Sequence, residues 1–302
     1  VGRHFGWLVT KIKLPSDPQT LFGHLKEVIW HMEAPVGSLS NVAHYLLMRA
    51  ARDNGITVVL SGQGGDEIFC GYRKYLGFHL QSLVRQNHPF TALRTLCSFL
   101  RNGTMVNQFR FAEAKRYLPS KLSTNRRSNL GARLSMCAVA AVGLLPDESL
   151  GARQRRDLMQ LSVPTLNHFE DRMSMAWSRE IRLPFLDHRL IEMLVPAPAE
   201  YKIAKGWSKF LLRSAVVDLL PPEITWRRDK QGFSNPEEVW MNTTLKETIL
   251  RDFLHPEARI FRLGLLDREA VLNEYERYCA QKPQQGRVWS KDIFQVIALE
   301  VW

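Results

Sequence analysis

The sequence has no apolar run long enough to cross a bilayer. The longest, Leu134 to Leu145 (LSMCAVAAVGLL), is interrupted by Ser135 and falls short of the roughly 20 residues a spanning helix needs. It reads as a buried helix, and no membrane partner is expected. The opening residues, VGRHFGWLVTKIKLP, lack both a continuous apolar core and a small-residue cleavage site. A secretory leader is therefore not expected, and the cytoplasm is the default compartment. Cysteine is scarce: Cys70, Cys97, Cys137 and Cys279 form no C-x-x-C pair and no His/Cys spacing suited to zinc. All four read as reduced, mostly packing residues. Acidic residues are outnumbered, 30 against 41 basic, leaving a net charge of +11. That excess suits nucleic acid, an anionic surface or phosphate-bearing substrates. However, the basic residues are scattered apart from Trp226-Arg227-Arg228-Asp229-Lys230, with no helix-turn-helix, RNP or zinc-finger pattern beside them. Nucleic acid is not an expected partner. No internal repeat is present.

With 302 residues, 45% of them hydrophobic, the chain can bury a substantial core in one large domain or two smaller ones. Ser40 to Asn54 carry Ala43, Leu46, Leu47 and Ala50 at the spacing of an amphipathic helix, which Asn54-Gly55 ends. Ile56 to Leu60 follow as an apolar, β-branched run without alternation, the pattern of a strand covered on both faces in a parallel sheet. Helix followed by buried strand predicts an α/β fold. Beyond about residue 80 helical patterns dominate, and the basic stretch Arg110 to Arg133 reads as loop and solvated helix. A helix from Pro164 places Leu166, Phe169, Met173, Ala176 and Trp177 on one face. Another apolar segment, Ser208 to Leu220, stops at Pro221-Pro222.

Three segments carry chemistry. Ser61-Gly62-Gln63-Gly64-Gly65-Asp66-Glu67 lies between the carboxyl end of the strand and a helix expected to start near Glu67, where open α/β sheets bind ligands. Its glycines let backbone N–H groups approach an anion, and Asp66 suits a Mg²⁺ on pyrophosphate. The alternative is a tight turn whose Asp66 only caps a helix. It is not a Walker A loop, since no Gly-Lys-Ser/Thr follows. Arg228-Asp229-Lys230-Gln231-Gly232-Phe233-Ser234 is a basic turn after a helix stop. Its lysine, beside a flexible glycine, suits charge developing on phosphorus, or the turn is solvated surface. Glu170-Asp171-Arg172, with Glu180 and Arg182 further on, reads either as a third site segment or as helix-surface ion pairs.

Four fragments in order, VVLSGQGGDEIFCGY (58–72), EDRMSMAWSREIRLPFLDHRL (170–190), KFLLR (209–213) and RRDKQGFSNPEEVW (227–240), resemble the synthetase domain of the asparagine synthetase family. The resemblance runs nearly the full chain. It implies one domain over 1–302 with an ATP-pyrophosphatase-like parallel sheet and helices, α/β over 1–90 and mainly helical over 91–302. It further implies that ATP adenylates the side-chain carboxylate of aspartate. Ammonia released from glutamine then attacks, giving asparagine and AMP. By position, Ser61, Gly62, Gly64 and Gly65 would shape the nucleotide and substrate loop. Asp66 would bind Mg²⁺ and pyrophosphate, and Glu67 would help order the loop. Lys230 would stabilise the charge of adenylation, with Arg228 and Gln63 as further catalytic positions. A homodimer is compatible with the resemblance.

Two departures stand out. The family's Ser-Gly-Gly-x-Asp-Ser phosphate loop, with its first strand, and the glutaminase domain with its N-terminal cysteine are not found in the sequence. The expectation is an N-terminally incomplete sheet, as in a truncated gene or a split subunit, with those parts as missing partners and little activity alone. Gln63 stands where the best-known asparagine synthetases carry glutamate and the related β-lactam synthetases tyrosine. A glutamine cannot act as a base. That leaves open an acceptor carboxylate other than aspartate, such as a uronic acid, or a non-catalytic remnant that binds a partner.

Overall fold

A computed structural model describes residues 1–104, 148–229, 235–280 and 291–302. The expected helix at 134–145, the basic stretch at 110–133, Cys137 and the turn from Lys230 to Ser234 lie outside the described residues. Helix α1, Pro18–Met32, starts where the Asp17 carboxylate accepts the Thr20 N–H at 2.8 Å and Pro18 takes the first turn, a position at which its missing N–H costs nothing. Its apolar residues Leu21, Phe22, Leu25, Val28, Ile29 and Met32 are all buried, at about 1.5–3 kcal/mol each for the larger side chains. They share the largest core with helix α2, Ser40–Asp53, and with the last helix, Lys291–Val301. The α2 stripe is displaced from the one expected. Val42, Tyr45, Leu46 and Met48 are buried, whereas Ala43 and Ala50 are half-buried and Leu47 is exposed. Tyr45 and His44 explain the displacement: an aromatic ring outweighs an alanine as core surface, and the pattern of aliphatics alone missed it.

Strand β1, Val58–Leu60, pairs in parallel with β2, Glu180–Arg182, with Val59 opposite Ile181. Its sheet has two strands among the described residues, and the other pairing is a two-residue antiparallel hairpin, β3 Ile203–Ala204 with β4 Trp207–Ser208. The architecture is helix-rich α/β with a small parallel sheet. The expectation that 56–60 is covered on both faces is corrected: Val58 is 38% and Leu60 70% exposed, with only Val59 half-buried. Alternate strand residues point to opposite faces, and the face bearing Val58 and Leu60 is open among the described residues. An apolar run reports what a strand would bury, while coverage depends on what packs against it. The partner strand also falls inside the stretch read as mainly helical.

After β1 come a single helical turn, α3 Gly65–Ile68, and α4 Arg73–Arg85. A long helical run begins at Leu150–Arg156 (α5), passes through a π-helical segment, Asp157–Leu161, and ends as α6, Ser162–Met175. In α6 the expected apolar face packs: Met173 is buried and Phe169, Ala176 and Trp177 lie against the main core. Two smaller cores flank α3, one including Cys70, Tyr75 and Phe99, the other Ile68, Phe69 and Leu158. Of the described cysteines Cys70 is buried, its thiol pushed up to about 12 by burial, Cys279 is half-buried and Cys97 is exposed. Among the described residues no helix is long and apolar enough to cross a membrane.

Candidate active site

The Ser61 N–H donates to the Arg182 carbonyl at 3.0 Å, so the loop begins where the β1–β2 ladder ends. The chain then turns sharply at Gly64, whose φ is +86°, a region in which glycine carries no Cβ penalty. A Cβ there would overlap Leu186, and one on Gly65 would press on Phe185 at 3.3 Å. Both glycines are buried under the turn Pro184–Leu186, while Gly62 is open, with nothing within 4 Å of its Cβ position. The loop thus divides into an open part, Ser61 to Gln63, and a packed part, Gly64 and Gly65.

On one side, Ser61, Gly62 and Gln63 line a cavity of about 640 Å³ together with His44 of α2 and Glu170 of α6. The Ser61 hydroxyl donates to Glu170 Oε1 at 2.7 Å. Burial pushes the Glu170 carboxyl above its usual range, and the Ser61 hydrogen bond opposes that shift. Burial likewise lowers His44 to about 4, leaving it neutral near pH 7. From sequence Glu170 has two readings, a site residue or one partner of a helix-surface ion pair, and its contact is with the loop. Its carboxylate faces the loop, Arg172 pairs instead with Glu33 at 3.0 Å, and Glu180 and Arg182 are strand residues paired with each other at 2.7 Å.

On the other side, Asp66, Lys209 and Arg228 line a second cavity of about 290 Å³, with Arg227 and Asp229. Lys209 Nζ lies 3.0 Å from Asp66 Oδ1. Lys209 itself has φ +53° and precedes helix Phe210–Ala215, and its N–H donates to the Phe69 carbonyl at 3.2 Å. These backbone ties hold it beside α3. Arg227 forms a two-pronged pair with Asp229 at 2.8 and 2.9 Å, and Arg228 is exposed. Glu67 takes no place in either cavity. Its side chain is fully buried and accepts from the Ser162 hydroxyl at 2.5 Å, and its carbonyl accepts from Gln154 at 2.8 Å.

The sequence reading missed Lys209 and His44 as site residues. Lys209 stood in plain view within KFLLR, but nothing in local spacing shows that it meets Asp66. Lys230 falls outside the described residues. Among the described residues no group of three or more His, Cys, Asp or Glu could cage a metal. A single carboxylate beside cationic side chains fits a Mg²⁺ that arrives on substrate phosphates and keeps most of its ligands from them and from water.

The sequence profile of asparagine synthase matches residues 3–302. The chain is similar to "Asparagine synthetase [glutamine-hydrolyzing] 1" of Bacillus subtilis, 23% identical over 95% of this chain and 47% of that protein. It is 28% identical to a "Putative asparagine synthetase [glutamine-hydrolyzing]" of Mycobacterium bovis, covering 90% of this chain and 43% of the relative. It is also 25% identical to "Amidase chyE" of Penicillium rubens, over 98% of this chain and 49% of the relative. The chain spans about half the length of the curated relatives it matches. By that match over nearly every residue, the chain belongs to the asparagine synthase family.

Proposed function

We propose that this chain is the ATP-using part of a glutamine-dependent amidotransferase that makes asparagine from aspartate, on an ATP-pyrophosphatase-like fold. One observation carries the reading: Asp66, Lys209 and Arg228 converge on one cavity beside the loop at the end of β1. Adenylation of a carboxylate expels pyrophosphate, and cations held at fixed positions stabilise the charge that builds on the leaving phosphates. Lys209 and Arg228 supply such charge, and Lys230, two residues after Arg228 in the sequence, would add to it. Asp66 would hold Mg²⁺, which neutralises phosphate charge when bound. The separate cavity beside Ser61, Gly62 and Gln63 would hold the acceptor carboxylate and receive ammonia. Ammonia would come from glutamine through a glutaminase domain outside these residues, in keeping with the names of the relatives.

A second reading keeps the chemistry and changes the acceptor. Gln63 puts a neutral amide in the acceptor cavity, and one relative is named an amidase, so another carboxylate such as a uronic acid is the alternative. ATP–pyrophosphate exchange by the full-length protein separates the two. Exchange dependent on aspartate supports the first reading, exchange dependent only on a uronic acid supports the second, and no acceptor-dependent exchange overturns both.

A further inference from the structure

We propose that Glu170 is the proton acceptor for the attacking nitrogen during amide formation, a task for which Gln63 has no basic atom. The inference rests on the amidotransferase reading above. Of the described residues lining the acceptor cavity, only His44 and Glu170 titrate. Glu170 reaches the loop from α6, and its two oxygens differ. Oε1 accepts from Ser61 at 2.7 Å, while Oε2 is buried with no hydrogen-bond partner among the described residues. A buried carboxylate oxygen left unpaired is costly, and such a cost is retained where the free lone pair has work to do. The Ser61 hydroxyl fixes the carboxylate through Oε1 and leaves Oε2 unoccupied, on a residue that lines the same cavity as Gly62 and Gln63.

The neighbouring charges leave this role to Glu170. His44, on α2, is lowered to about 4 and so is the weaker base of the two. From β2, Ile181 lines the cavity, while Glu180 and Arg182 on either side of it satisfy each other at 2.7 Å and stand mostly in solvent. Asp171, next along α6, is exposed. Burial raises the Glu170 carboxyl above the ordinary value of a glutamate, which strengthens its carboxylate as a base.

The lone pair of ammonia forms the C–N bond to the acyl-adenylate carbon, and the C–O bond to AMP breaks, AMP leaving with that electron pair. The surplus proton on nitrogen passes to Glu170 Oε2 and from there to solvent. Acyl-adenylate and ammonia thus give amide, AMP and one proton.

Glu170→Gln in the full-length protein tests this, because glutamine can still accept from Ser61. Expected are acceptor-dependent ATP–pyrophosphate exchange within a few-fold of wild type and amide formation from ammonia slowed about 100-fold or more. The acidic limb of the rate profile should vanish. Hydroxylamine, whose adduct loses its proton to water more readily, should lose less. Ser61→Ala, which removes the hydrogen bond opposing the raised pKa, should move that limb to higher pH. Amide formation by Glu170→Gln within threefold of wild type, with its acidic limb intact, would overturn the proposal. So would an equal loss of exchange and amide formation, which would make Glu170 a binding residue. Wild-type protein without any acceptor-dependent exchange would overturn the amidotransferase reading itself, and Glu170 with it.

Discussion

The Asp66 carboxylate and the Lys209 ammonium meet at 3.0 Å directly over Gly71, where a Cβ would overlap both Asp66 and the Lys209 side chain. The pair therefore needs a residue without a side chain beneath it. Gly71→Ala should push the two apart with only about 1–3 kcal/mol lost from the fold, because the displaced groups are partly solvent-exposed. Pyrophosphate release should fall at least tenfold while the melting temperature drops by only several degrees, leaving the protein folded at the assay temperature. Release at the wild-type rate would show that the Asp66–Lys209 geometry is not needed for adenylation.

Asp66 and Lys230 separate by what they contribute. Asp66→Asn should shift the Mg²⁺ titration of pyrophosphate release to higher concentration, since a neutral amide is a poorer ligand than a carboxylate for a hard cation. An unchanged titration would reduce Asp66 to the partner of Lys209. Lys230→Ala should abolish pyrophosphate release and leave glutamine hydrolysis by the full-length protein intact, because losing one cation set against charge that develops in the transition state removes about 3–4 kcal/mol of its stabilisation. Synthetase turnover within a few-fold of wild type would remove Lys230 from the mechanism.

Stability at low pH should depend on Asp157, which is buried and accepts from Arg153 at 2.9 and 3.0 Å and from Tyr75 at 2.8 Å, with Lys74 at 2.7 Å. Burial raises its pKa, but the hydrogen bonds from Arg153 and Lys74 outweigh that and leave it below the ordinary value. A depressed carboxylate supplies stability that is fully present above its unfolded pKa, about 3.9, and is lost as pH falls through the native value. Asp157→Ala strands two cations and should cost about 3–5 kcal/mol at neutral pH. The deficit should shrink on acidification, as chemical denaturation at pH 7 and pH 3 would reveal. A deficit that stays constant would show that packing, not charge, is what Asp157 supplies.

What the sequence made legible follows the reach of each physical rule. The capping and strand-to-loop punctuation at Asn54-Gly55 and Ser61 is local and was readable. The apolar face of α6 follows from a short repeat and was readable too. The coverage of β1 was not, because Val58 and Leu60 look the same in sequence whether or not anything packs on them. Nor was β2, since Glu180-Ile181-Arg182 is too short to show a period of two beside a helical run. The pairs that build the cavities, Asp66 with Lys209 and Ser61 with Glu170, join segments more than a hundred residues apart in the chain. No local spacing could reveal them.

The turn that carries Asp66 is held from behind by a buried polar chain that ends on Lys202. Lys202 Nζ donates to Gln154 Oε1 at 2.9 Å and to the carbonyls of Leu194 and Val195 at 2.9 and 3.3 Å, at the end of helix His188–Leu194. Gln154 Nε2 in turn donates to the carbonyls of Glu67 and Ile68 at 2.8 and 3.2 Å. Lys202→Met keeps most of the length of the side chain and removes its donors, which should cost about 1–3 kcal/mol for stranded acceptors. The pH dependence distinguishes this from lost packing. Burial lowers the pKa of Lys202, so between that value and the ordinary value, about 10.4, the unfolded chain binds more protons than the native one. Wild-type stability gains from Lys202 as pH rises through that window, and the Met variant, with nothing to titrate there, does not. The advantage of wild type in denaturant melts should therefore widen from pH 7 to pH 10. An advantage that narrows would mean that the charged ammonium is the form the fold prefers, and that the clamp on α3 is ionic.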